Sequence, residues 1–165
     1  MNIIPIGIIH TPFTESGGTP IQPKMADGTE GTVEIFDEYS PGLTDIDGFE
    51  RIWLLYWFDR AAPAQLNVVP YKDNKKRGVF ATRAPARPNP IGLSSVRLIS
   101  VKGNLLKIAD VDMLDSTPLL DIKPYVPMFD IYTGCRAGWL DSSNDRREAD
   151  NRFQGNTTST EENEE

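Results

Sequence analysis

The sequence predicts a mainly β fold, a small closed or nearly closed β-barrel with short helices and no Rossmann-type layering. Thirteen Pro and thirteen Gly interrupt the chain so often that no segment keeps a helical period for long. Between the breaks, short apolar or alternating runs recur, as strands joined by tight turns require. No Walker loop is present, no Gly-x-Gly-x-x-Gly follows a strand, and no Gly-x-Ser-x-Gly elbow occurs. The usual nucleotide-binding and hydrolase frameworks are thereby set aside.

The elements follow in order. Residues 2–9 read as an apolar strand, and 14–31 as a long irregular stretch punctuated by Gly17, Gly18, Pro20, Pro23 and Gly28. Residues 32–36 alternate, Val33 and Ile35 opposing Glu34, as a half-buried strand does. A brief helical turn is expected over 43–50. Residues 51–58 are apolar almost throughout, which predicts a strand buried on both faces or crossing from core to interface. Residues 78–83 read as a further strand. The runs 96–101 and 105–111 flank Lys102, Gly103 and Asn104, a hairpin signal with Gly supplying the positive φ. Strands at 122–126 and 129–132 complete the set.

A chain of 165 residues suits one domain. Its lone Cys135 and lone His10 leave no disulfide framework and no Cys- or His-rich metal site. The longest strongly apolar run, 52–58, is far short of a membrane span, and no leader is apparent, so a cytoplasmic protein is expected. The net charge of −7 is unevenly spread. Residues 141–165 hold eight acids against three arginines, with Phe153 their only large apolar residue. That composition predicts a β-barrel domain over 1–140 followed by an acidic, disordered tail over 141–165. Between positions 72 and 97 the sign reverses, with seven basic residues against Asp73 alone. Lys75, Lys76, Arg77 and Arg87 in this stretch are candidates for meeting a phosphate-bearing partner.

Gly-Val-Phe-Ala-Thr-Arg-Ala-Pro-Ala-Arg-Pro-Asn-Pro-Ile-Gly-Leu-Ser at 78–94 is the most informative segment. Pro85, Pro88 and Pro90 fix three φ angles and restrict the residues before them. Such stiffness reduces the ordering entropy lost on binding, and it presents Arg83 and Arg87 as forked cations for carboxylate or phosphate. A Pro-rich corner joining two strands explains the same composition, and the residues alone leave the choice open. Asp59 and Arg60, and the stretch from Asp112 to Leu119 with Asp115, Ser116 and Thr117 in its polar turn, are further candidates to line a pocket, though ordinary turn chemistry explains either.

Together these residues resemble the TsaA-like (TrmO) family of S-adenosylmethionine-dependent tRNA methyltransferases. The match runs through Ile-Gly-Ile-Ile-His-Thr-Pro-Phe at 6–13, Pro-Ile-Gln-Pro at 20–23, Gly-Phe-Glu-Arg-Ile-Trp at 48–53, Gly-Val-Phe-Ala-Thr-Arg at 78–83, Arg-Pro-Asn-Pro-Ile-Gly-Leu-Ser at 87–94 and Asp-Ser-Thr-Pro-Leu-Leu-Asp-Ile-Lys-Pro-Tyr at 115–125. The resemblance implies a dimerising β-barrel that binds S-adenosylmethionine and methylates N6 of threonylcarbamoyladenosine beside the tRNA anticodon. It implies cofactor contacts at Pro20, Ile21, Gln22, Asp59, Arg60, Arg83, Leu93, Asp115, Ser116, Thr117 and Pro118. Asp115 is also the candidate proton acceptor. Ile21 replaces the Arg usual in bacterial relatives, Asp59-Arg60 their His-Gln, and Ser116 their Gly. A non-catalytic S-adenosylmethionine-binding sensor or adaptor is the rival expectation.

Overall fold

The computed structural model describes residues 2–155. Strands β1 (Gly7–His10), β2 (Glu30–Ile35), β3 (Arg51–Trp57), β4 (Asn67–Val68), β5 (Arg77–Gly78), β6 (Ile91–Lys102), β7 (Leu105–Ala109) and β8 (Thr117–Pro124) are joined mainly by 3₁₀ turns and irregular loops. Six of them close into an antiparallel barrel in the order β1-β2-β7-β6-β3-β8, with β1 pairing β8. The expected small barrel is what the chain forms. β4 and β5 make a separate two-stranded ribbon within the 58–90 excursion.

Alternation builds the core. Ile9, Val33, Ile35, Ile52, Leu54, Tyr56, Val96, Leu106, Ile108 and Leu119 all point inward and are at most 3% exposed. Each buried aliphatic side chain of this size stabilises by about 1.5–3 kcal/mol. Register shifts at Leu55/Tyr56 and Leu98/Ser100 mark bulges, which bend strands enough to close so small a barrel. The β6–β7 hairpin turns through Gly103 at φ +61°, as expected.

Four expectations change. β3 is buried on one face only: Ile52, Leu54 and Tyr56 face inward while Trp53, Leu55 and Trp57 lie half-buried outside, because a barrel has a single interior. Trp53 is partly covered from outside by Tyr125, at 5.5 Å between ring centres. Residues 79–81 form a 3₁₀ turn rather than a strand, closed by the Thr82 hydroxyl donating to the Val79 carbonyl. Residues 127–130 form the one-turn helix α1 (Pro127–Asp130), not a strand. Pro127 suits the first helical position, and the Asp130 carboxylate accepts the Val126 N–H at 2.7 Å.

The fourth correction concerns the acidic tail. Residues 141–155 follow a packed course, whereas 156–165 lie outside the described residues. Phe153 is 5% exposed, packing with Val68, Val79, Ala84, Ala86 and Tyr71 in a second small core. Asp150 is clamped by Arg152 and Arg146, at 2.6 and 2.9 Å. Backbone pairing and arginine–carboxylate forks hold this segment, and composition reveals neither.

Candidate functional site

Antiparallel closure gathers the loops 11–29, 58–90 and 110–116 at one mouth of the barrel, since each joins strand ends that lie there. Between them and the segment 138–153 lies a cleft of about 620 Å³. Its volume falls within the range of small-ligand sites, roughly 300–1,000 Å³.

Seven of the expected contacts line this cleft: Pro20, Ile21, Gln22, Asp59, Arg60, Arg83 and Thr117. They come from two loops and the start of β8, so the fold assembles what the sequence scatters. The Arg83 guanidinium donates to the Gln22 side-chain carbonyl. Arg60 donates to the Asp115 carbonyl at 2.6 Å and reaches the Thr117 hydroxyl at 3.3 Å, fastening the excursion to the β7–β8 turn. A cationic guanidinium at Arg83, polar turns and apolar walls suit a zwitterionic ligand with a flat ring.

Asp115, Ser116, Pro118 and Leu93 do not line the cleft. The Asp115 carboxylate accepts the Thr11 N–H at 3.1 Å and the Ser116 hydroxyl at 2.9 Å. Partial burial pushes its carboxyl up, and those hydrogen bonds with neighbouring His10 outweigh that, holding it below its usual value. Asp115 thus pins the mouth of β1 to the β7–β8 turn and presents a poor base. Ser116 adopts φ +61°, the left-handed region that favours glycine. Leu93 points outward on β6, opposite Leu55. Lys75 and Lys76 stand exposed outside the cleft. Arg77 is bound to Asp73 at 2.6 Å, and Arg87 turns back onto the Thr82 carbonyl at 3.2 Å.

Asp112 opens the turn expected to line a pocket, and its own role as a buried acid is what the sequence reading missed. It lines the cleft floor and accepts the Ser94 hydroxyl at 2.6 Å, and Ser94 Oγ in turn lies 3.0 Å from the Tyr56 hydroxyl. Burial pushes the Asp112 carboxyl up to about 7, against the opposing pull of Ser94 and the Arg83 charge. Burial also raises Tyr56 well above its usual value, which keeps its proton in place. The Pro-Asn-Pro-Ile-Gly-Leu-Ser run organises this chain of groups. Gly92 pairs Tyr56 across the strands, and a Cβ there would sit 2.2 Å from the Tyr56 ring. Gly92 therefore admits the ring, while Ser94 connects its hydroxyl to the carboxyl. One signal was available: an acid between the apolar Val111 and Met113 at a strand end.

Comparison with known proteins identifies the family. The family model "tRNA-methyltransferase O N-terminal domain" matches residues 8–131. A protein of Pyrococcus abyssi called a probable S-adenosyl-L-methionine-binding protein is 60% identical over 139 residues, covering 84% of this chain and 76% of the relative. The mouse tRNA (adenine(37)-N6)-methyltransferase is 35% identical, covering 76% of this chain and 31% of the relative. A crystal structure of TrmO from Pseudomonas aeruginosa superimposes with a TM-score of 0.74 at 38% identity, covering 87% of this chain and 64% of that one. The chain therefore spans less than two thirds of the solved TrmO chain. A non-Rossmann barrel with a cleft at one mouth, in this company, defines a class of S-adenosylmethionine-binding domains. The chain belongs to the tRNA-methyltransferase O N-terminal domain family.

Proposed function

We propose that this protein is an S-adenosylmethionine-dependent methyltransferase acting on N6 of threonylcarbamoyladenosine in tRNA. The observation that carries the reading is the mouth cleft, where Arg83 and Asp112 converge on one ligand-sized space. Arg83, Gln22 and Arg60 would hold the polar ends of the cofactor, with Pro20, Ile21 and Asp59 beside them. When bound, that group supplies an electrophilic methyl. The chain's own task is to align the acceptor nitrogen, exclude water and take up the proton that nitrogen gives up. Asp112 replaces Asp115 as acceptor, because its carboxyl faces the cleft and titrates near neutrality. Lys75 and Lys76, exposed outside the cleft, supply surface charge toward the RNA backbone.

We further propose a homodimer, for which Leu93 and Leu55, side by side on the outer barrel wall, supply an apolar face. Light scattering at increasing concentration checks it, and a monomer throughout would remove it. For the activity, the test is nucleoside mass spectrometry of modified tRNA after incubation with saturating cofactor. One added methyl is expected. Cofactor binding without any transfer would instead favour a non-catalytic binding module, as the names of several relatives allow.

A further inference from the structure

Trp139 lies beyond the family-matched residues, yet it lines the cleft. Two interactions hold it in place. Its indole N–H donates to the Ala81 carbonyl at 2.8 Å. The Arg77 guanidinium lies over its ring at 5.5 Å, and Arg77 is itself forked onto Asp73 at 2.8 and 2.6 Å. An aromatic ring whose sole task is packing is buried, as Phe153 is at 5% exposure. Trp139 instead keeps part of its surface in the cleft, beside Phe80, which is 77% exposed and lines the same space.

The segment carrying Trp139 is also fastened to the other cleft-forming loops. The Arg147 carbonyl accepts the Ile21 N–H at 2.8 Å, the Ala149 backbone exchanges hydrogen bonds with Gly18 and Thr19, and the Gly155 N–H donates to the Arg60 carbonyl at 2.8 Å. Bridges pair Pro20 with Glu148 and Ala61 with Gln154. This strap therefore runs across both the Pro20–Gln22 and the Asp59–Arg60 segments and forms the outer wall of the site.

We propose that the strap is part of the ligand site and that Trp139 is the platform on which the adenine ring of the cofactor stacks. The inference rests on the reading of the cleft as an S-adenosylmethionine site. A rigid, pre-positioned indole suits a purine face, because stacking needs flat apolar area and loses least when the ring is already ordered. Arg83, two residues beyond the carbonyl that holds the indole, leaves the ligand's carboxylate end a separate cationic anchor. The site would thus hold both ends of the molecule without a glycine-rich loop.

The test is calorimetric titration of S-adenosylmethionine, adenosine and L-methionine into wild type, Trp139→Ala and Trp139→Phe, with thermal midpoints confirming folding. For Trp139→Ala, weakening of S-adenosylmethionine and adenosine by about 10- to 100-fold is expected, the span of one base–aromatic stack. L-Methionine should bind unchanged, and Trp139→Phe should recover part of the loss. Quenching of intrinsic fluorescence on adenosine binding should disappear in Trp139→Phe. Equal affinities for wild type and Trp139→Ala would overturn the platform while leaving the cofactor assignment standing. A wild type that binds neither S-adenosylmethionine nor adenosine would overturn both.

Discussion

The two mouths of the barrel are closed in opposite ways. At one, β6 turns into β7 through a two-residue loop, and the 36–50 connection folds its 3₁₀ turns inward, packing Tyr39, Leu43 and Ile46 against the core. A hollow of about 570 Å³ remains there, mostly apolar in lining, with Glu38, Asp45 and Asp121 as its acids. At the other mouth the connections are longer: Phe13, Phe58, Val111 and Met113 pack against the core, while two arginines and a carboxyl pushed up to about 7 line a cleft. One closure lends the barrel stability. The other also covers the core and devotes further chain length to the side chains that line the cleft. The difference shows how an ordinary barrel acquires a site: by lengthening the connections at one end while the sheet stays tightly paired.

The largest effect should come from removing the ionisable group at the open mouth. Asp112→Asn should slow single-turnover methyl transfer by about 10²- to 10⁴-fold, the usual worth of a positioned base, while cofactor affinity stays near that of wild type. Glu38→Gln, at the closed mouth, should leave the rate unchanged. If Asp112→Asn transfers methyl at the wild-type rate, the carboxyl is not the proton acceptor, and the asymmetry between the mouths is only one of shape.

Stability should divide along the same line. Leu54→Ala cuts a fully buried side chain from the barrel core and should cost about 2–5 kcal/mol in denaturant unfolding. Phe153→Ala removes the anchor of a much smaller cluster, so the strap should detach locally before the barrel melts. Limited proteolysis should then cut within 138–155 while the main unfolding midpoint moves less than in Leu54→Ala. Equal midpoint shifts would mean that strap and barrel unfold as one unit.

The barrel was legible because its information is local: alternation at 32–36 and the Gly103 turn each state their structure within a few residues. The 51–58 run misled because its outer aromatics are as apolar as its inner ones, and only closure decides which face is inside. The site was half legible. Arg83 and Gln22 announced themselves through motif resemblance, whereas Asp112 acquires its character from Ser94 and Tyr56, on strands 18 and 56 positions away. Trp139 stands just before the stretch read as tail and outside the quoted motifs, and its partners, Arg77 and Ala81, lie far upstream.

Asp112 also sets a pH dependence. Its carboxyl titrates near 7 when folded and about 4 in an unfolded chain, so between those values the folded state holds the extra proton. Stability should therefore fall as pH rises from 4 to 7 and level off above. Asp112→Asn should flatten that slope and raise the thermal midpoint at pH 8. One substitution would then slow transfer and strengthen the fold, as expected where a burial penalty is kept for function. A slope identical in wild type and variant would place the titration elsewhere.

The smallest effect tests where the rim of the open mouth stores strain. Ser116 is held at φ +61° in the turn that leads into β8, and its hydroxyl bond to Asp115 offsets only part of that cost. A left-handed non-glycine residue costs about 1–2 kcal/mol, while glycine gives back roughly 0.4–1 kcal/mol through the greater freedom of the unfolded chain. Ser116→Gly should therefore gain about 0.5–1 kcal/mol in equilibrium unfolding. Cofactor affinity should not change, since Ser116 lies outside the cleft lining. A loss of stability would show that the Ser116–Asp115 bond outweighs the strain. A loss of affinity would show that the turn reaches the ligand after all, and that the open mouth is wider than its present walls.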